Sequence, residues 1–274
     1  MPRAERQPAR LVILNRMATL RRAAIGLAFS LLAAPGGAQS PPPRSIAVAA
    51  ASDLRFALDE IVLAFEKANP GVDVRVSYGA SGSFFSQIAN GAPFDLFFSA
   101  DVDYVKKLGD QGLTLPDSTF VYGIGRIVLW TSHSKLDVSR GLAALLDPAV
   151  RKIAIANPRH APYGRAAEAA LRSAGIYDAV QPKLVFGENV AQTAQFVETG
   201  AADAGIIAHA LAQAPTLQKE GRFFLIPSDL HPRLEQGAAI LQRSAEPAAA
   251  EAFRGFVLGA EARAILDRFG FERN

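Results

Sequence analysis

From residue 45 onward the chain alternates short apolar runs with amphipathic stretches. Residues 46–50 (IAVAA) form a small, uninterrupted apolar run, the mark of a strand buried on both faces. Leu58, Ile61, Val62 and Phe65 then recur at helical spacing. Val72, Val74 and Val76 alternate with Asp73, Arg75 and Ser77, which is strand period. A short helix over 84–90 closed by Gly91, a buried strand over 94–99 and a helix over 102–108 complete a β-α-β-α-β-α series. Such alternation predicts a parallel sheet with helices on both faces. A second series follows, with strands over 126–131, 152–156, 183–186, 204–207, 223–226 and 238–241. Helices are predicted over 140–146, 164–174 and 191–199, and two more close the chain over 248–258 and 261–269. The expectation is an α/β protein of two lobes, each a mostly parallel sheet flanked by helices. The first lobe takes residues 45–123 and 227–274 and the second 124–226, with Gly123 and Gly125 offered as the hinge.

The first 38 residues follow a different pattern. Six arginines and one glutamate precede or flank an apolar run over 23–35, which ends in Gly36, Gly37 and Ala38. A basic head, a short apolar stretch and a small-residue exit describe a secretory signal peptide. The run falls short of the roughly 20 apolar residues that span a bilayer, which weighs against the other reading, an uncleaved anchor. Residues 39–44, with three consecutive prolines, read as a stiff linker. This leader changes the meaning of the charge. The whole chain carries 29 Lys and Arg against 26 Asp and Glu. Without residues 1–38 the balance is 23 against 25, so the basic excess that would suggest a nucleic-acid partner belongs to the leader. No nucleic acid is expected, and the destination is the periplasm. The absence of cysteine excludes disulfides, thiol chemistry and a lipid anchor.

In open α/β sheets ligands bind beyond the carboxyl ends of the strands, against helix N-termini. Four strand-to-helix turns therefore carry the candidate chemistry: 51–53 (ASD), 79–83 (GASGS), 157–164 (NPRHAPYG) and 187–190 (GENV). Small hydroxyl residues at a helix start present O–H and free backbone N–H donors, and the helix dipole favours an anion there. Each turn also has a plainer reading. Ser52 or Asp53 could be an N-cap, 79–83 a flexible loop, and Tyr163 a packed aromatic. Val190 offers only its backbone N–H. Neither a Walker A nor a G-x-G-x-x-G pattern occurs, and 79–82 departs from the G-x-S-x-G elbow. His133, His160, His209 and His231 lack metal-ligand spacing. His160 sits in a candidate turn, so an exported hydrolase using Ser52 or Ser81 with His160 is the alternative from a different class.

The residues at these turns carry a resemblance. The segments 49–54 (AAASDL), 78–83 (YGASGS), 87–101 (QIANGAPFDLFFSAD), 157–164, 188–190, 204–207 (AGII) and 268–271 (RFGF) are similar to the periplasmic molybdate-binding proteins of ABC importers, within the type II periplasmic binding proteins. The resemblance implies a two-lobed, non-enzymatic receptor with the ligand cleft between the lobes. It implies molybdate or tungstate as ligand, no cofactor, a membrane permease as partner, and a monomer. Carried over by position, Ser52, Ser81, Tyr163 and Val190 would hold the oxyanion, with no direct metal ligand. Where some members place a tyrosine hydroxyl donor this chain has Ala208, and Tyr163 is expected to replace it, through its hydroxyl or its backbone N–H. A wall of neutral donors without an acceptor would reject protonated anions such as hydrogen phosphate. A receptor for sulfate or thiosulfate is the alternative within this class.

Overall fold

The structure is a computed structural model that describes residues 44–273. The predicted signal peptide and most of the linker lie outside the described residues. Arg44, assigned to the linker, is already the first residue of β1.

Ten strands build two five-stranded sheets. They are β1 (Arg44–Ala51), β2 (Val72–Gly79), β3 (Leu96–Ser99), β4 (Phe120–Gly125), β5 (Ile127–Thr131), β6 (Ile153–Ala156), β7 (Leu184–Gly187), β8 (Ala204–Ala208), β9 (Arg222–Leu225) and β10 (Leu234–Ile240). The first sheet has the order β2-β1-β3-β10-β4 and the second β7-β6-β8-β5-β9. Both follow one plan. Three parallel strands lie on one side, then a fourth runs antiparallel to the third and a fifth antiparallel to the fourth.

Half the pairings in each sheet are thus antiparallel, where continuous β-α-β alternation predicts parallel ones. The reversals fall on the strands next to the two places where the chain changes sheet, β4 to β5 and β9 to β10. Arg126 sits at the first crossing. Its guanidinium bonds to Glu272 and to the carbonyl of Ile226 (3.1 Å), which tethers the first crossing strand to the second. Gly123 and Gly125, expected as a hinge, lie inside β4, and neither has a left-handed φ. The pattern reading missed β4, because glycines at alternate positions of VYGIG break the apolar period.

The helices are α1 (Arg55–Ala68), α2 (Ser81–Ala89), α3 (Val102–Asp110), α4 (Pro162–Ser173), α5 (Tyr177–Val180), α6 (Val190–Glu198), α7 (His209–Ala212), α8 (Pro215–Glu220), α9 (Pro247–Val257) and α10 (Ala260–Arg268). Strand period splits the first sheet's side chains into two cores. Ile46, Val48 and Ala50 pack with α1, α9 and α10, where Phe65 meets Phe253 edge-on at 5.0 Å. Ala49 and Phe97 point the other way, onto Phe84, Ile88, Val105 and Leu108 of α2 and α3. A sheet covered on both faces needs apolar side chains at every position, which explains the unbroken run at 46–50. The second sheet has its own core around Trp130, Ile153, Ile155 and Leu171.

Candidate functional site

The four turns singled out by sequence meet in one place. A small cavity between the two sheets, about 10 Å³, is lined by Ser52, Ser81, Tyr163 and Val190, with Asp53 and Asn189 among their neighbours. Each turn follows the carboxyl end of a parallel strand: β1, β2, β6 and β7. Four helical N-termini, those of the 3-10 turn Ser52–Leu54 and of α2, α4 and α6, therefore converge on the cavity. Their dipoles put partial positive charge there without a cation.

The two serines are buried, 2% and 1% exposed. The N-cap reading of Ser52 and Asp53 fails, since Ala51 is the cap and no side chain bonds the turn. Ser81 does not sit in a loop; it opens α2. Both hydroxyl oxygens are already acceptors. Ser81 Oγ receives the N–H of Ala100 at 3.0 Å, and Ser52 Oγ receives the N–H of Ala191, from across the cleft, at 3.2 Å. With an N–H filling the acceptor side, each hydroxyl keeps its proton to donate.

The backbone donors arise from local sequence. Pro162 is the first residue of α4 and has no N–H, so the helix presents the N–H of Tyr163 first. In α6 the Asn189 side chain caps the N–H groups of Ala191 (3.1 Å) and Gln192 (3.0 Å), leaving that of Val190 outside the cap.

Of the two groups that Tyr163 offers, the hydroxyl is taken up by other partners. It donates to Asp53 Oδ2 at 3.0 Å and accepts from Gln236 Nε2 at 2.8 Å. The second Gln236 N–H reaches the same Asp53 oxygen at 2.9 Å, and the Gln236 Oε1 accepts from the Tyr122 hydroxyl at 2.7 Å. This buried network joins α4 to the 3-10 turn Ser52–Leu54, β4 and β10. It depends on Gly125, because a Cβ there would collide with the Tyr163 hydroxyl and the Gln236 amide. Burial pushes the Asp53 carboxyl up to about 6, against the opposing pull of its hydrogen bonds from Gln236 and Tyr163. The same burial, with the Asp53 charge beside it, holds the Tyr163 hydroxyl well above its ordinary range.

The sequence reading missed this network. In the sequence Asp53 reads only as a cap, while Gln236 and Tyr122 lie far along the chain. The one available signal was a glutamine inside the otherwise buried run 236–241, a position that is 0% exposed. The expected donor-only wall is corrected too, since a carboxyl group forms part of the lining.

Further contacts cross the cleft. Arg165 of α4 pairs with Asp101 at 2.7 Å, and Gly82 N–H donates to the His160 carbonyl at 2.9 Å. A Cβ on Gly82 would lie 2.7 Å from that carbonyl oxygen, so only glycine allows the approach. The His160 ring faces Glu188, 3.0 Å from its carbonyl oxygen and 3.2 Å from Oε1. Among the described residues no hydrogen bond links it to either serine, and no group of three or more His, Asp or Glu could hold a metal ion.

The family model of the bacterial extracellular solute-binding proteins matches residues 46–272. The chain belongs to that family. This solute-binding protein is 35% identical, over 92% of its chain and 96% of the relative, to Molybdate-binding protein ModA of Rhodobacter capsulatus. It superposes on the periplasmic molybdate-binding protein of Azotobacter vinelandii with a TM-score of 0.79, at 35% identity, covering 84% of this chain and 99% of that one. The sulfate-binding protein SubI of Mycobacterium tuberculosis shares the fold alone, with a TM-score of 0.66 at 20% identity over 83% of this chain and 86% of that one. The two mixed sheets of this solute-binding protein, flanked by helices with a cleft between them, are the two-lobed periplasmic binding protein fold.

Proposed function

We propose that the protein is an extracytoplasmic receptor that binds molybdate, and tungstate, in the cavity between its lobes and delivers it to the membrane permease of an ABC importer. The observation that carries this reading is the pair of buried serines whose oxygens already accept backbone N–H groups, so that both protons are held ready for an anion. Around them four helix starts supply dipole and N–H, and the two similar molybdate-binding proteins span nearly the whole described chain. The oxyanion is held by the hydroxyls of Ser52 and Ser81 and the backbone N–H groups of Tyr163 and Val190. Neutral, fixed donors replace the ion's hydration shell, without which burial of a charge is prohibitive.

The lobes, which divide two residues later than expected because β4 keeps Ile124 and Gly125 in the first sheet, close on the anion because each supplies half of its donors. The protein reaches the periplasm by a cleaved signal peptide and performs no chemistry. The hydrolase alternative lacks a base, since His160 is turned to Glu188. Calorimetric titration of the protein lacking residues 1–38 with molybdate, tungstate, sulfate and phosphate tests the reading. One-to-one binding of the first two alone is expected. Equal binding of sulfate or phosphate overturns the specificity, and ester hydrolysis abolished by Ser81→Ala overturns the receptor itself.

A further inference from the structure

One group in the cavity wall does not suit a dianion. Asp53 is 1% exposed and is one of the residues that line the cavity, next to Ser52. Its Oδ2 accepts two hydrogen bonds, from Tyr163 and Gln236, while its Oδ1 is buried with no partner. No cation reaches it. The elements packed on the 3-10 turn bring Arg55 and Asp59 (α1), His209 (α7), Tyr163 (α4), Tyr122 (β4) and the uncharged start of α6. Arg55 is exposed, and Asp59 accepts from the Tyr78 hydroxyl at 2.6 Å. His209 lies against Gln213 (2.7 Å) and close to Gly270. Arg126, half-buried at the first crossing, is paired with Glu272. A carboxylate and a bound dianion in one cavity would place like charges side by side in a site without a counter-ion, which favours the neutral acid.

We infer that Asp53 makes anion capture proton-linked: each dianion entering the site brings one proton from solvent onto the Asp53 carboxyl. This deepens the oxyanion reading and rests on it. Both Oδ2 lone-pair directions are occupied, so the proton goes to Oδ1. There it turns an orphaned acceptor into a donor, and a bound oxyanion offers acceptors only. The free protein is poised for this. Burial holds the empty-site carboxyl at about 6, so near neutrality it is mostly ionised and able to take up the proton.

The consequence is an affinity that falls with rising pH, with a limiting slope of tenfold per unit above the empty-site value. That amounts to roughly 50-fold between about pH 6 and pH 8. Titration of the protein with sodium molybdate in buffers of different ionisation enthalpy counts the protons directly. At about pH 7.5 an uptake close to one per anion is expected, and near zero in Asp53→Asn, whose affinity should be flat across the range. Should that variant not fold, Tyr163→Phe carries the test. Loss of a donor to the carboxylate raises its empty-site value, and the onset of weakening moves to higher pH. Binding by the wild type without proton uptake, or uptake that persists in Asp53→Asn, overturns this inference alone. An absence of molybdate binding at every pH overturns the oxyanion reading and this inference with it.

Discussion

Replacing Ser81 with alanine separates two roles that one hydroxyl plays. Its oxygen accepts the N–H of Ala100, itself 1% exposed, at 3.0 Å. Its proton is free for the anion. Ser81→Ala removes both at once and leaves a buried N–H orphaned. An orphaned donor costs about 1–3 kcal/mol, and a hydrogen bond to a charged partner is worth about 1.5–3 kcal/mol. The first term acts on folding and the second on binding, so different assays read them. With the anion rigorously removed, thermal unfolding should fall by roughly 2–4 °C for each kcal/mol lost in a protein of this size. Anion must be absent because ligand raises the transition by mass action. Calorimetric titration of the same variant should give an affinity weaker by about 10- to 150-fold. An unchanged melting temperature refutes the buried acceptor role. An unchanged affinity refutes the placement of Ser81 at the anion.

Gly125→Ala should disturb the site from outside it, because the new Cβ strikes the Tyr163 hydroxyl and the Gln236 amide. A destabilisation of about 1–3 kcal/mol is expected from overpacking, with weaker anion binding, whereas Gly123→Ala, whose Cβ meets Phe271 Cβ at 3.2 Å, should be milder in both thermal and binding assays. Asp53→Asn should stabilise the anion-free protein near neutral pH. The folded carboxyl lies at about 6 against 3.8 in the unfolded chain, so its burial destabilises the fold fully above about pH 6, less as pH falls through that value, and not at all well below 3.8. The gain should approach about 3 kcal/mol at pH 8 and shrink to about 0.5 kcal/mol at pH 4, and melting curves that differ equally at both pH values would contradict it. Arg165→Ala removes a half-exposed ion pair with Asp101 across the cleft. It should weaken binding only a few-fold, in keeping with the ~1 kcal/mol or less of such pairs, and a loss as large as that of Ser81→Ala would mean that Arg165 touches the anion.

Most of the fold was written in local periodicity. The strands at 46–50 and 72–76 and the helix carrying Leu58 to Phe65 follow from spacing alone. What periodicity could not supply was β4, where glycines make room for the Tyr163 hydroxyl and Phe271. Nor could it supply the antiparallel strands, because strand direction in a sheet depends on which lobe the chain has just left. The turns holding Ser52, Ser81, Tyr163 and Val190 were legible because small residues at helix starts have a shared reason to be there. The orientation of the Tyr163 hydroxyl was not. It is decided by Gln236 and Asp53, partners 73 and 110 residues away, and such a pairing leaves no local trace.

The common plan of the two sheets has a geometric consequence. In strand order β1 corresponds to β6 and β2 to β7. The helical starts that follow them correspond in turn: the one at Ser52 with that of Tyr163, and the one at Ser81 with that of Val190. The cradle is thus two versions of one half. A tetrahedron suits a duplicated cradle, since a two-fold axis through its centre exchanges its corners in pairs. Each half can face one pair of oxygens with the same two-point grip. A planar trigonal anion such as nitrate has no second pair to offer, so the duplicated architecture itself discriminates by shape before any single contact is counted.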